Sequence, residues 1–277
     1  MGWTSYREEG TVEGRDDISI VKLLPGEGAQ SQEIVVGRTS GDLAKLAFES
    51  ERGRFQRQNT FETRNRPVRA ADTNSKGVLA AGLSEASLAL YPTRSPDRKI
   101  DPLASEDHLD TTRHSQIWAT RFLNDNQLVV GLGPSTEPIR IIDITQGFRR
   151  SVIHKIRKPP MPLKFNRKGD LCPLSIYCIN PLPASSVAGH GICMSGGHDS
   201  IVRLHDFRCE NTVVARYEDS VDFAAIYSLI SFSDTKVVAG GGTHNLIKLF
   251  DLRLPGAGSQ YHADVQSYGE FSLERLP

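Results

Sequence analysis

Ser195–Arg208 reads SGGHDSIVRLHDFR and holds two His-Asp pairs, His198-Asp199 and His205-Asp206. Such side chains at close spacing are candidate metal ligands, and a metal-dependent hydrolase built on them would bind stoichiometric metal. A His-Asp phosphohydrolase presents its ligands from helices, whereas the IVRL between these pairs alternates as a strand does. A second copy decides between the two readings. Lys236–Arg253 reads KVVAGGGTHNLIKLFDLR against GICMSGGHDSIVRLHDFR at Gly191–Arg208; His205 becomes Phe250, Asp199 aligns with His244, and only Asp206 persists, as Asp251. Each copy predicts a hairpin: a small apolar strand, a glycine-rich polar turn, a β-branched strand, then Asp-x-Arg. Asp199 is then expected to cap the turn, His205 to replace an aromatic residue, and Asp206 to end the strand. Asp143, Asp199, Asp206 and Asp251 are accordingly expected to be structural.

Three weaker copies lie upstream: EIVVGRTSGDLAKLAFE ending at Glu49, VLAAGLSEASLALYPT ending at Thr93 and LVVGLGPSTEPIRIIDIT ending at Thr145. Taking Phe48, Pro92, Asp143, Asp206 and Asp251 as equivalent gives spacings of 44, 51, 63 and 45 residues. A base period near 45 with loop insertions is what radial repetition of a four-stranded unit produces. The VVAGG-type run is small and apolar on both faces, as a strand between neighbouring sheets must be. VRL and IKL are expected to point their charges outward from a half-exposed strand, and QIWATRFLND (Gln116–Asp125) and AIYSLISFSD (Ala225–Asp234) to supply a third strand. One segment conflicts with the repeat. Ser40–Gly53, SGDLAKLAFESERG, has Asp42 as an N-cap, helical apolar spacing and a terminal glycine, so its local propensity is helical. The repeat register places a strand there instead.

These residues resemble the WD-repeat β-propeller family, whose blades end in Trp-Asp after a glycine-rich turn at a period of about 40–45. The resemblance runs from Asp17 to Arg253. The Trp position holds Ala47, Tyr91, Ile142, His205 and Phe250, so no copy has the full dipeptide, and Gly189-His190 falls just before a second strand rather than ahead of a first. The family's Asp-His-Ser-Trp network is incomplete, with Asp199 its best-matching turn aspartate. The resemblance implies an all-β propeller of four-stranded antiparallel blades, five of them visible, in an open or incompletely closed ring that is a fragment of a longer product. Residues 17–253 form the blades. Residues 1–16 are an N-terminal segment in which Trp3–Val12 lends the last blade its missing outer strand, and residues 254–277 are a loop-like tail. The implied function is a non-catalytic protein-interaction scaffold. An alternative within the family is substrate recognition in a ubiquitin ligase, where a propeller follows an F-box; no F-box-like helical segment is visible.

Thirty-three basic and 33 acidic residues in 277 give no net charge, so no global field draws the chain to nucleic acid or an anionic membrane. No run approaches the roughly 18 apolar residues of a membrane span, and MGWTSYREEG lacks the pattern of a secretory signal. The expectation is a soluble protein of the cytoplasm, the nucleus or both. Cys172, Cys178, Cys193 and Cys209 form no Cys-x-x-Cys pair and read as reduced, mostly buried thiols. The glycines of VVGLGPST and VVAGGGTHN precede strands rather than the helix a phosphate-binding loop requires, so no cofactor is expected. No hydrolase elbow, His-Glu-x-x-His or zinc-spaced cysteine pair occurs.

The strongest polar feature is Gln146–Lys168, QGFRRSVIHKIRKPPMPLKFNRK, with eight Lys or Arg and no acidic residue. RRSVIHKI is expected to be an outer strand whose cations protect a sheet edge. Arg149, Arg150, Lys155, Arg157 and Lys158 form a candidate patch for a phosphorylated or acidic protein segment. An acidic counterpart, DPLASEDHLD (Asp101–Asp110), reads as a solvated loop, and Thr93–Arg98, TRSPDR, offers a Ser-Pro for phosphorylation.

Overall fold

The computed structural model describes residues 16–25, 32–110, 112, 114–145, 152–156, 174–182, 191–209, 212–219, 224–233, 236–241, 246–254, 261–265 and 271–275. Every regular element among them is a β-strand, and the strands form antiparallel meanders resembling blades. In the first of two compact units, residues 1–111, β1 (Ile18–Leu23), β2 (Glu33–Arg38), β3 (Leu43–Glu49) and β4 (Arg54–Phe61) pair in order. A second sheet there contains β5 (Val68–Thr73), β6 (Val78–Leu83), β7 (Ser87–Pro92) and β9 (Ala104–Glu106), while the short β8 (Lys99–Ile100) lies parallel to β4. The second unit, residues 112–277, has three sheets. They are β10 (Gln116–Phe122) to β13, through β11 (Gln127–Gly133), β12 (Ile139–Asp143) and β13 (Val152–Ile156); β14 (Ile176–Pro181), β15 (Ile192–Gly197), β16 (Val202–Asp206) and β17 (Val213–Tyr217); and β18 (Ile226–Ser233), β19 (Lys236–Gly241), β20 (Leu246–Asp251), β21 (Tyr261–Val265) and β22 (Phe271–Arg275). This is the all-β, blade-like fold of a β-propeller.

Within each unit the sheets stack by one rule: the first strand of a sheet lies on the first two strands of the sheet before it. β5 packs on β1 and β2, β14 on β10 and β11, and β18 on β14 and β15. The second strand is therefore covered on both faces. In β15, Cys193 packs into the core shared with β10–β12, and its neighbour Met194 into the core shared with Ile226 and Phe250. Small residues are required at one point of this contact. A Cβ on Gly37, Gly131 or Gly196 would come within 2.7, 2.9 or 2.6 Å of Val68, Ile176 or Ile226, respectively, on the covering strand. Glycine there is the condition for close stacking.

Opposite that glycine, every sheet carries the same irregularity. Gly37, Gly82, Gly131, Gly196 and Gly240 pair with Ile20, Ala70, Ala119, Cys178 and Ser228, and in each case the preceding residue of the first strand is skipped by the register. Five equivalent β-bulges result, at Ser19, Arg69, Trp118, Tyr177 and Tyr227. A bulge leaves one residue unpaired and re-aims its side chain.

Ser40–Gly53 is strand β3 with the turns that join it to β2 and β4, as the repeat register requires. Leu43 enters the core beneath β5, while Ala44 and Leu46 pack with Val36 on the opposite side. Tertiary burial at period two thus overrides the helical propensity. Asp42 is no helix cap: its carboxylate accepts two hydrogen bonds from Arg57, at 2.9 and 2.6 Å. The first copy is also displaced by one residue. Leu46, not Ala47, pairs with Ile34 as Tyr91, Ile142, His205 and Phe250 pair with Leu79, Leu128, Cys193 and Val237. Ala47 replaces Phe48 at the strand-ending position.

Four further expectations are corrected. The charges of VRL and IKL do not face solvent, because Arg203 and Lys248 are buried and satisfied by ion pairs with Asp199 and Asp219. Part of the acidic loop, Ala104–Glu106, is an edge strand on β7. Residues 254–277 are not all loop: Tyr261–Val265 pairs between β20 and Phe271–Arg275, and Phe271–Arg275 forms the edge of the last sheet. The outer position next to β20 is therefore filled by β21, and Trp3–Val12 lies outside the described residues. RRSVIHKI does contain an edge strand, β13 on β12.

Candidate functional site

The His-Asp pairs do not converge. His198 is an exposed residue of the β15–β16 turn, and His205 lies near the other end of β16 with no solvent exposure. Asp199, three residues before β16, accepts hydrogen bonds from both terminal nitrogens of Arg203, and both side chains are buried. Strand alternation would have exposed Arg203, and Asp199 is what makes its burial tolerable. At the far end, the Asp206 carboxylate accepts from the Arg208 backbone N–H at 3.0 Å and from its guanidinium at 2.8 and 2.7 Å. The Arg208 hydrogen bonds hold the Asp206 carboxyl below the usual carboxylate range. Asp251 and Arg253 repeat the arrangement, and Asp143 accepts from the Thr145 N–H and hydroxyl at 2.8 and 2.7 Å. Each aspartate closes a turn locally.

His205 shares a 2.7 Å hydrogen bond between Nε2 and the Ser195 hydroxyl. Burial, and then the positive charge of Arg203, depress its pKa to about 3, so the imidazole is neutral. A buried neutral histidine bonded to a serine on the neighbouring strand occupies the place that Phe250 holds in the last sheet. Among the described residues no three His, Cys, Asp or Glu side chains cluster as metal ligands. Burial also pushes the thiol of Cys178 up to about 12 and that of Cys193 up, while Cys209 is exposed. Of the basic candidates, Lys155 lies on β13, and Arg149, Arg150, Arg157 and Lys158 lie outside the described residues.

The surface that sequence reasoning missed is made by the bulges. In the second unit the three bulge residues come from three consecutive sheets and touch. Trp118 meets Tyr177 edge-to-face with ring centroids 5.6 Å apart and planes at 89°, and Tyr177 stacks on Tyr227 at 4.8 Å and 8°. His198 adds an edge contact to Tyr177 at 6.5 Å. The Trp118 indole donates to the Gly133 carbonyl at 3.0 Å, fixing the ring against its own sheet. Tyr227 is 55% exposed. The signal in the sequence was a β-branched residue, any residue, then a small one: Val68-Arg69-Ala70, Ile117-Trp118-Ala119, Ile176-Tyr177-Cys178, Ile226-Tyr227-Ser228. Val68, Ile176 and Ile226 fill the space over Gly37, Gly131 and Gly196, the third residue of each triplet fits opposite the glycine of its own sheet, and the second is left unpaired.

No protein-family model matches the chain, and no curated protein matches it. Among solved structures it is similar to Raptor from Chaetomium thermophilum, with a TM-score of 0.68 at 11% identity, over 94% of this chain and 21% of that one. The chain thus spans about a fifth of the length of that protein. At this identity the likeness is one of fold.

Proposed function

We propose that the chain is a non-catalytic protein-interaction scaffold of the WD-repeat type. The observation carrying this reading is the aromatic strip of half-buried Trp118 and Tyr177 and exposed Tyr227, which three sheets hold in place at positions their pairing leaves open. Clustered aromatic residues on a rigid support are the usual anchors of protein interfaces. The fold shared with part of Raptor, a WD40 β-propeller-containing protein, supports the same reading. The basic segment around Lys155 is proposed as a second contact, for acidic or phosphorylated segments. Affinity capture from cell extract followed by mass spectrometry tests the proposal. A defined set of proteins enriched over a control bait is expected, and charge reversal of Arg149, Arg150, Lys155, Arg157 and Lys158 to Glu should release the acidic or phosphorylated members of that set. Failure to enrich any protein would refute the scaffold reading; adaptor and ligase subunits in the set would identify a ubiquitin-ligase receptor.

A further inference from the structure

The aromatic strip has a chemistry specific enough to name its occupant. Resting on the scaffold reading above, we propose that Trp118, Tyr177 and Tyr227 dock an uncharged, proline-rich segment of a partner protein in the polyproline II conformation. Three observations lead there. The first is spacing: the centroid steps of 5.6 Å from Trp118 to Tyr177 and 4.8 Å on to Tyr227 limit the strip to at most about 10 Å. One turn of polyproline II, three residues at about 3.1 Å each, is close to that length, so prolines three apart reach both ends of the strip. The second is charge. β14 (IYCINP) and β18 (IYSLISFS) carry no ionisable acid or base beyond the tyrosines, and β10 (QIWATRF) carries only Arg121. With no carboxylate on these strands and only His198 and Arg121 named beside them, the strip offers no partner to an arginine-rich peptide and little to a phosphate, and a proline segment loses few charge contacts on docking. The third is order. Trp118 is pinned through its N–H, and Tyr177 is held between two rings, so little side-chain freedom remains to be lost on binding. Tyr227 stands at the open end, presenting the ring face that Tyr177 does not cover and a phenolic O–H that can donate to a ligand carbonyl, the acceptor every proline retains.

The test uses the full chain with Trp3→Phe, which leaves Trp118 as the single tryptophan. A decamer of proline is titrated while the Trp118 emission is followed, with a Gly-Ser decamer as control. A saturable change with proline and none with Gly-Ser is expected. Tyr227→Ala should weaken it about tenfold and Tyr227→Phe only about threefold, because the ring is kept and the hydroxyl lost. The melting temperature of Tyr227→Phe should match the parent and that of Tyr227→Ala should fall only slightly, since Tyr227 is 55% exposed and the alanine variant loses one ring stack. An absent or Tyr227-independent proline signal overturns the inference, as does preference for a Gly-Arg or phosphoserine decamer. Captured partners that bind the Tyr227→Ala chain undiminished would overturn the strip while leaving the scaffold reading intact; no captured partner at all would remove the scaffold reading itself.

Discussion

Asp199 and Arg203 form a buried pair in which each charge is stable only while the other is present. Removing one partner leaves the other without a counter-ion in a low-dielectric setting, so Asp199→Ala should cost about 3–5 kcal/mol in urea denaturation. Asp199→Ala with Arg203→Leu should recover most of that loss, because no charge is then stranded. His205 supplies a different readout. Its pKa falls from an ordinary value of 6.5 to about 3 in the folded chain, so below about pH 6.5 the unfolded chain binds a proton that the folded one refuses. The stabilisation present above pH 6.5 is therefore lost as pH falls toward about 3, at up to about 1.4 kcal/mol per pH unit. Ser195→Ala with His205→Phe, the residues found at Ala239 and Phe250, should flatten this dependence in urea midpoints measured from neutral to acidic pH.

Among the elements, the glycines of the second strands and those of the turns should respond differently to one added methyl group. A Cβ on Gly196 meets Ile226 at 2.6 and 2.8 Å, so Gly196→Ala should cost about 1–3 kcal/mol through forced repacking of the sheet contact. Gly53 has open space but a φ of +60°, so Gly53→Ala should cost only the left-handed backbone penalty of about 1 kcal/mol. Thermal or urea unfolding separates the two. The hairpins themselves were legible in the sequence because a glycine-rich turn between two apolar runs has few other readings; even Ser40–Gly53 yielded to the register of its neighbours. The buried cations were not legible. Alternation in VRL and IKL is the same whether Arg203 and Lys248 face water or a carboxylate, and only the placement of Asp199 and Asp219 decides it. The bulges escaped for a related reason: one skipped residue is invisible to a period of two until the strand is paired. Tyr261–Val265 escaped because YHADV has little apolar content to mark it as a strand.

At the scale of the whole chain, the first sheet breaks the burial rule that the others keep. Ile18 is 54% and Val21 56% exposed, whereas Val68, Ile176 and Ile226, the equivalents of Ile18, are completely buried. Ile176→Ala should therefore cost about 2–5 kcal/mol. Ile18→Lys with Val21→Lys should leave the melting temperature nearly unchanged and reduce concentration-dependent association seen by light scattering. With no net charge and a sequence pI near 7.1, the chain has little electrostatic repulsion to oppose such association at neutral pH. The bulges carry the longer consequence. Ser19, Arg69, Trp118, Tyr177 and Tyr227 share a backbone position but range from a hydroxyl and a guanidinium to three aromatic rings, because a residue that the ladder skips is released from the choice of cross-strand partner that constrains its neighbours. Recognition and folding are thereby written at separate addresses. Randomising Trp118, Tyr177 and Tyr227 together would change what this strip selects while the sheets beneath keep their register, which makes these three positions a natural starting library for new binding specificities on an unchanged framework.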